Sequence, residues 1–339
     1  MKKLTASFEK PDKNMLALFG IALGIIVIMA FADPAFLKGS NFRSMAFQFP
    51  EFGILSFGMM LCMISGGIDL SLVGAANLSG IVAAVVILST GGSPGSIAAG
   101  IAAALLVGAV CGLFNGYLIG QLQIPAMLVT LCGGQLFTGL GMAITKGPAI
   151  TGLPEQILVL SNGTVGGVLP YALLLFILIA LALGFLLKST VYGQHLCLMG
   201  SNPTASRYSG INNLHVTLLT YMTSGILAAV SGILILSHYG SAKSDYGMSY
   251  TLLSLLIVVL GGVAPAGGRG RVSCVALSAV ILQLISSAFN VLRFNSFVKT
   301  FVWGLLLVIV MVAQSVIQKE AYQFLNIRRK NYEKDHQQA

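Results

Sequence analysis

An all-helical polytopic membrane fold follows from three observations. The chain has 339 residues, of which 56% are hydrophobic and only 9% charged, where soluble domains carry about 25% charged residues. The few charges bracket uncharged gaps at 14–32, 52–68, 156–187, 208–242, 246–268, 272–292 and 300–318, and one unbroken run covers 70–145. These segments are continuously apolar and do not alternate, which favours helices over barrel strands. A spanning helix needs about 20 apolar residues. The seven shorter gaps then hold about one span each and the long run holds three, about ten in all. The same composition excludes a disordered chain and, despite a net charge of +9, a nucleic-acid-binding domain.

The expected spans lie near 15–32, 46–65, 72–90, 96–119, 126–145, 168–187, 214–237, 250–263, 273–290 and 299–317. The first, with its lysine-rich start and Ala30-Phe31-Ala32, imitates a signal peptide. Its apolar run exceeds the usual h-region of about 7–15 residues and reads as an uncleaved span. The second ends at Ile64-Ser65-Gly66-Gly67-Ile68-Asp69-Leu70-Ser71. The Gly-Gly pair reads as a break between two helices, tolerated at membrane depth only inside protein or beside a water-filled cavity. Asp69 has two readings, a buried cap on the helix starting near Leu70 or a member of a permeation path. Gly91-Gly92-Ser93-Pro94-Gly95 and Gln121-Leu122-Gln123-Ile124-Pro125 divide the long run. Gly108, Gly112 and Gly116 suit close helix packing in lipid.

Between the sixth and seventh spans lies a loop, 188–213. Its Asn202-Pro203 pair is a helix start, with Pro at the first helical position. A short helix over 204–208 follows, and Gly210 can end it. This helix has two readings, resting in the headgroup region or docking into a cytoplasmic partner. The membrane domain is thus 15–317, with tails at 1–14 and 318–339. With the N-terminus inside, basic residues divide 13 inside to 6 outside. The positive-inside rule then places both termini in the cytoplasm. The excess positive charge also suits contact with anionic membrane lipid.

Cys62, Cys111, Cys132, Cys197 and Cys274 form no C-x-x-C, so a disulfide framework or metal site is not expected. His195, His215, His238 and His336 have no metal-ligand partner at helical spacing, and no catalytic constellation is visible. The phosphate loop G-x-x-x-x-G-K-[ST] is absent, so the chain itself is not expected to hydrolyse ATP. Leu131-Cys132-Gly133-Gly134-Gln135 imitates an ATPase signature but lies within an apolar run. Proton-coupled carriers bury several ionisable groups at membrane depth, and here only Asp69 is read as lying well inside the apolar region.

Ser65-Gly66-Gly67-Ile68-Asp69-Leu70-Ser71 resembles the hallmark of the ribose-type permeases of bacterial ATP-binding-cassette importers. Thr190-x-x-Gly193, Gly200-x-Asn202, Ala205 and Ser209-Gly210-Ile211 resemble that family's cytoplasmic loop. Asn115-Gly116, Ile124-Pro125 and Thr130-Leu131 match its fourth and fifth spans. Val258-Val259-Leu260-Gly261-Gly262 with Gly267-Gly268-x-Gly270 matches its Gly-rich segment. The matches run in order from about residue 50 to 310. Gln194 stands where an Arg is common, and 196–199 is more apolar than usual.

The resemblance implies a dimer, with a second identical or related permease chain, a cytoplasmic ATPase, and a periplasmic or lipoprotein sugar-binding protein. It implies a bacterial inner-membrane location, no cofactor on this chain, and ATP with Mg on the ATPase. Thr190, Gly193, Gly200, Asn202, Ala205, Arg207 and Gly210 are the expected ATPase-coupling residues. Gly66, Gly67, Asp69, Ser71, Asn77, Asn115, Gly261 and Gly262 are expected at helix breaks or along the translocation path. Phe57 and Asn290 are further candidates for transient contact with hydroxyls, although packing or interhelical hydrogen bonding is the first reading of each. The family carries pentoses, hexoses, polyols and a furanosyl autoinducer, and residues 238–247 are similar to an autoinducer permease. Two other readings stay open, an ion-coupled secondary transporter of a small polar solute and a membrane scaffold.

Overall fold

The computed structural model describes residues 13–313, except 168 and 296. The two expected tails fall outside these residues apart from 13 and 14, as does the end of the tenth expected span.

Capping chemistry sets most helix ends. Helix α1, Lys13–Ala32, stops ahead of Asp33-Pro34, where the Asp33 carboxylate accepts the Ala35 N–H at 2.8 Å. Helix α2 is Gly39–Ile64 and α3 is Leu72–Ser89. Gly91 and Gly92, both at positive φ, turn the chain into α4, Pro94–Gly120, which Ser93 caps. Helix α5, Ala126–Thr145, comes after Pro125. Next come α6, Glu155–Asn162, and a two-strand hairpin of β1, Thr164–Val165, and β2, Leu169–Pro170. Helix α7 is Tyr171–Ser189, α8 Val191–Ser201 and α9 Pro203–Tyr208. Helix α10, Asn213–Tyr239, starts under an Asn212 cap and ends at Gly240, φ +64°. The last three are α11, Tyr250–Leu260, α12, Val272–Val291, and α13, Phe297–Ala313.

Eight of these helices are long and apolar enough to cross a membrane, and α11 and α13 are shorter apolar helices. Together they occupy the ten expected positions. Three expectations need correction. Helix α2 begins at Gly39 and contains Arg43 and Glu51, because a helix continues past the point where its apolar stretch ends. Residues 146–167, read as loop, hold α6 and β1. The loop 188–213 contains two helices where one was expected.

Helices α2, α3 and α10 form the buried centre, and α1, α4, α5 and α7 turn wide apolar faces outward. Helix α10 packs on α4, α3 and α2. Glycine makes its approach to α4 very close. A Cβ on Gly112 would overlap the Tyr221 carbonyl, and one on Gly225 would overlap the Gly108 carbonyl. The same holds for Gly232 against Ala76 of α3. Without a hydrophobic drive between helices in lipid, such small-residue contact is what holds them together.

Candidate functional site

The chain between α2 and α3, residues 65–71, breaks where Gly66 takes φ +89°, a conformation that costs glycine little. Asp69, only 2% exposed, organises the turn into α3. Its Oδ1 accepts the Ser71 N–H at 3.0 Å and the Ser71 hydroxyl at 2.6 Å. Its Oδ2 accepts the Ser224 hydroxyl of α10 at 2.9 Å, with Cys62 Sγ at 3.9 Å. Asn115 of α4 donates to Ser71 Oγ at 2.8 Å, and Thr130 of α5 donates to the Ile68 carbonyl at 2.9 Å. Asp69 therefore does more than cap. Helix α3 starts at Leu72, after Ser71, and the carboxylate satisfies the Ser71 N–H just before it while reaching across to α10. Two buried polar atoms beside the break, Tyr221 Oη and Asn115 Oδ1, have no hydrogen-bond partner among the described residues. Tyr221 Oη faces Gly67 so closely that a Cβ there would overlap it.

Gly66, Gly67, Asp69, Ser71 and Asn115 are thus gathered in one place. Gly200 joins them from α8, because the Gly-rich loop 261–270 folds over the end of α2. The Gly268 N–H donates to the Ile64 carbonyl at 2.8 Å. A Cβ on Gly200 would overlap that same carbonyl, and one on Gly267 would lie 2.7 Å from the Gly200 carbonyl. Three backbones meet here with no side chain between them.

Helix α8 is fixed to its neighbours along its length. Thr190 donates to the Leu186 carbonyl at 2.6 Å and caps α8 by accepting from the Gly193 N–H at 3.3 Å. Gly193 lies against the Leu186 and Leu187 carbonyls, leaving no room for a Cβ. Tyr192 Oη bonds Thr220 of α10 at 2.8 Å. Helix α9 then projects outward. Asn202 caps it through the Ala205 N–H at 3.0 Å. Asn213 tethers it, accepting from Ser206 Oγ at 2.7 Å and donating to the Pro203 carbonyl at 2.8 Å. Its other face is open, with Ala205 and Arg207 exposed and Tyr208 90% exposed. Gly210, φ +81°, closes it.

The remaining candidates sit elsewhere. Asn77 of α3 donates to the Ser244 and Tyr246 carbonyls at 2.9 and 2.8 Å, tying down the loop after α10. Gly261 packs on Val275, and Gly262 lies near Asn14. Phe57 is fully buried against Phe176, ring centroids 5.1 Å apart. Asn290 accepts from the Lys299 ammonium.

Asp69 is not alone inside the bundle. Glu51 of α2, 1% exposed, pairs with His238 Nδ1 and accepts from Tyr250 Oη at 3.1 Å. Ser231 Oγ donates to the Glu51 carbonyl at 2.7 Å. His238 stacks on Tyr239, which in turn lies against Tyr246 at 5.0 Å between centroids. Treating Glu51 as the edge of a charge-free gap hid this second buried carboxylate. A Glu twelve residues into an amphiphilic helix, with a lone His near the end of a later span, is the only signal the sequence offers. Ser224 and His238 lie 14 positions apart on α10, so the two clusters are separated by about 21 Å along the helix. Among the described residues, no group of three or more His, Cys, Asp or Glu is placed to hold a metal.

A family model described as branched-chain amino acid transport system, permease component, matches residues 41–311. Full-length relatives include the autoinducer 2 import system permease protein LsrD of Klebsiella pneumoniae, 31% identical over 88% of this chain and 91% of its own. The L-arabinose transport system permease protein AraH of Escherichia coli is 30% identical over 90% and 91%. The ribose import permease protein RbsC of Escherichia coli is 29% identical over 92% and 95%. No solved structure matches. The chain belongs to this permease family, on its ribose-type, carbohydrate branch, and is a multi-pass membrane protein.

Proposed function

We propose that this family member is the transmembrane permease subunit of an ATP-driven importer for a sugar or sugar-like solute, working by alternating access. Its partners are a second permease chain, identical or related, a cytoplasmic ATPase holding ATP and Mg, and a periplasmic or lipoprotein sugar-binding protein. Both termini face the cytoplasm of a bacterial cell, so α9 lies on the inner side.

One observation carries this reading. The exposed face of α9 is continuous with α8, and α8 at Gly200 abuts the break beside Asp69 with backbone directly on backbone. A push on Arg207 and Tyr208 from an ATPase is delivered to the α2–α3 junction with little compliant side chain in the way. Helix α8 moves with α10, to which Tyr192 bonds. Tyr221 Oη and Asn115 Oδ1, buried at this junction without partners among the described residues, are groups that a second arrangement of the break would satisfy, since such atoms are otherwise costly. The sugar class rests on the relatives named for L-arabinose and ribose, and the wider wording on the one named for autoinducer 2.

The pairing of buried Glu51 with half-buried His238 favours one competing reading, an ion-coupled secondary transporter, since ionisable groups within spanning segments mark proton relays. Proteoliposomes holding the permease, its ATPase and its binding protein separate the two. Uptake that needs ATP and is lost in Arg207→Glu, while the variant still captures the loaded binding protein, supports the importer. Uptake by the permease alone under an imposed proton gradient overturns it.

A further inference from the structure

We propose that a cleft between α7 and α12 is a binding site for an anionic phospholipid, with the headgroup phosphate held by Lys188 and Arg271 and the acyl chains laid along α7. The inference does not depend on what the chain transports. The cleft encloses about 740 Å³ and opens where α7 ends, α8 passes and α12 begins. Among the described residues, its lining has two cations, Lys188 and Arg271, both exposed, and no carboxylate. The start of α12 completes the polar end, since Val272 and Ser273, the first residues of a 20-residue helix, line it, and the start of such a helix favours an anion.

The opposite end of the cleft is wholly apolar, and this selects a lipid over a free anion. Leu181 and Phe185 line it and are 68% and 67% exposed. Leu174, Leu178, Leu181 and Phe185 recur at helical spacing, all exposed, so they form one stripe. The stripe runs about 16 Å from Leu174 to Phe185, and Lys188 stands one turn beyond it. Cationic residues at one end and an apolar track at the other match the two ends of a phospholipid. A water-soluble partner reaches the basic end but has no use for the track.

A single-tryptophan reporter in the full-length chain tests this. Phe185→Trp is placed in a Trp303→Phe background, removing the one native tryptophan. The protein is reconstituted in vesicles with chain-brominated phosphatidylglycerol or phosphatidylcholine. Quenching at position 185 is expected to show about a fivefold preference for the anionic lipid. A Leu106→Trp reporter on the exposed face of α4 is expected to show none. Lys188→Gln with Arg271→Gln is expected to bring the preference at 185 close to one. Equal association of both lipids at 185, or a preference that survives the double substitution, overturns the proposal. So does loss of the preference when inorganic phosphate is added at constant ionic strength, which identifies a free-anion site. Absence of quenching by either lipid, with disulfide cross-linking of two copies through Phe185→Cys, assigns the cleft to a second copy and also overturns it.

Discussion

Asp69 and Glu51 lie at two levels of the same bundle, equally buried, and are held by different means. Asp69 has neutral donors, the Ser71 N–H and hydroxyl and the Ser224 hydroxyl. Glu51 has an imidazole and a phenol. The first set is half local, because Ser71 is two residues away, and it ties three chain segments at a break. The second is wholly distant, with partners 187 and 199 residues along the chain, and it clamps α2 to the end of α10 and the start of α11. The contrast separates a junction that can exchange hydroxyl partners from a latch whose strength depends on a matched acid and base.

The largest effect is therefore expected at the latch. Glu51→Ala takes the shared acceptor from His238 and Tyr250, both half-buried, and empties a fully buried site on α2, together costing about 2–5 kcal/mol. Thermal denaturation of the purified protein would show it, with Glu51→Gln intermediate because it still accepts from Tyr250. Asp69→Ala is expected to cost less, about 1–3 kcal/mol, for the stranded Ser224 and Ser71 donors. Asp69→Asn keeps an acceptor for the Ser71 N–H and should approach wild type in both stability and uptake. If Asp69→Ala proves as damaging to stability as Glu51→Ala, the distinction between the two sites collapses. If Asp69→Asn abolishes uptake in a folded protein, the junction depends on charge and not on bonding geometry. The most local change is expected from Asn77→Ala. It loses two bonds to the 241–249 loop, each worth about 0.5–1.5 kcal/mol, and hydrogen exchange should rise in that loop while the latch next to it stays closed.

The same contrast explains what could be read from sequence. Helix α5 falls at 126–145, as expected from Pro125 and the polar turn before it, and α9 appears where Asn202-Pro203 and Gly210 place it. Those signals are local, a cap, a proline, a glycine. The clustering of Gly66, Asp69 and Ser71 is local for the same reason. Glu51 escaped because its environment is made by residues in α10 and α11, and counting charge-free gaps treats any Glu as a boundary. Helix α8 escaped because residues 191–201 are neither apolar enough for a span nor flanked by a strong start signal. Its cap is a single threonine. The contact of Gly200 with Ile64 has no sequence signature beyond the absence of a side chain.

The Asp69 bond to Ser224 spans 155 residues, and that separation has a meaning in time. At a synthesis rate of about 5–20 residues per second, Asp69 waits on the order of 8–30 s before its partner is made. During that interval the bare glycine face of α4 also has no α10 to lie against. Helices α2 to α5 must therefore enter the membrane as a provisional group, with a carboxylate and an asparagine whose bonding is incomplete. The arrival of α10 is the step that turns this group into a finished core. Truncations ending before Ser224 should be the forms that a membrane quality-control protease removes fastest.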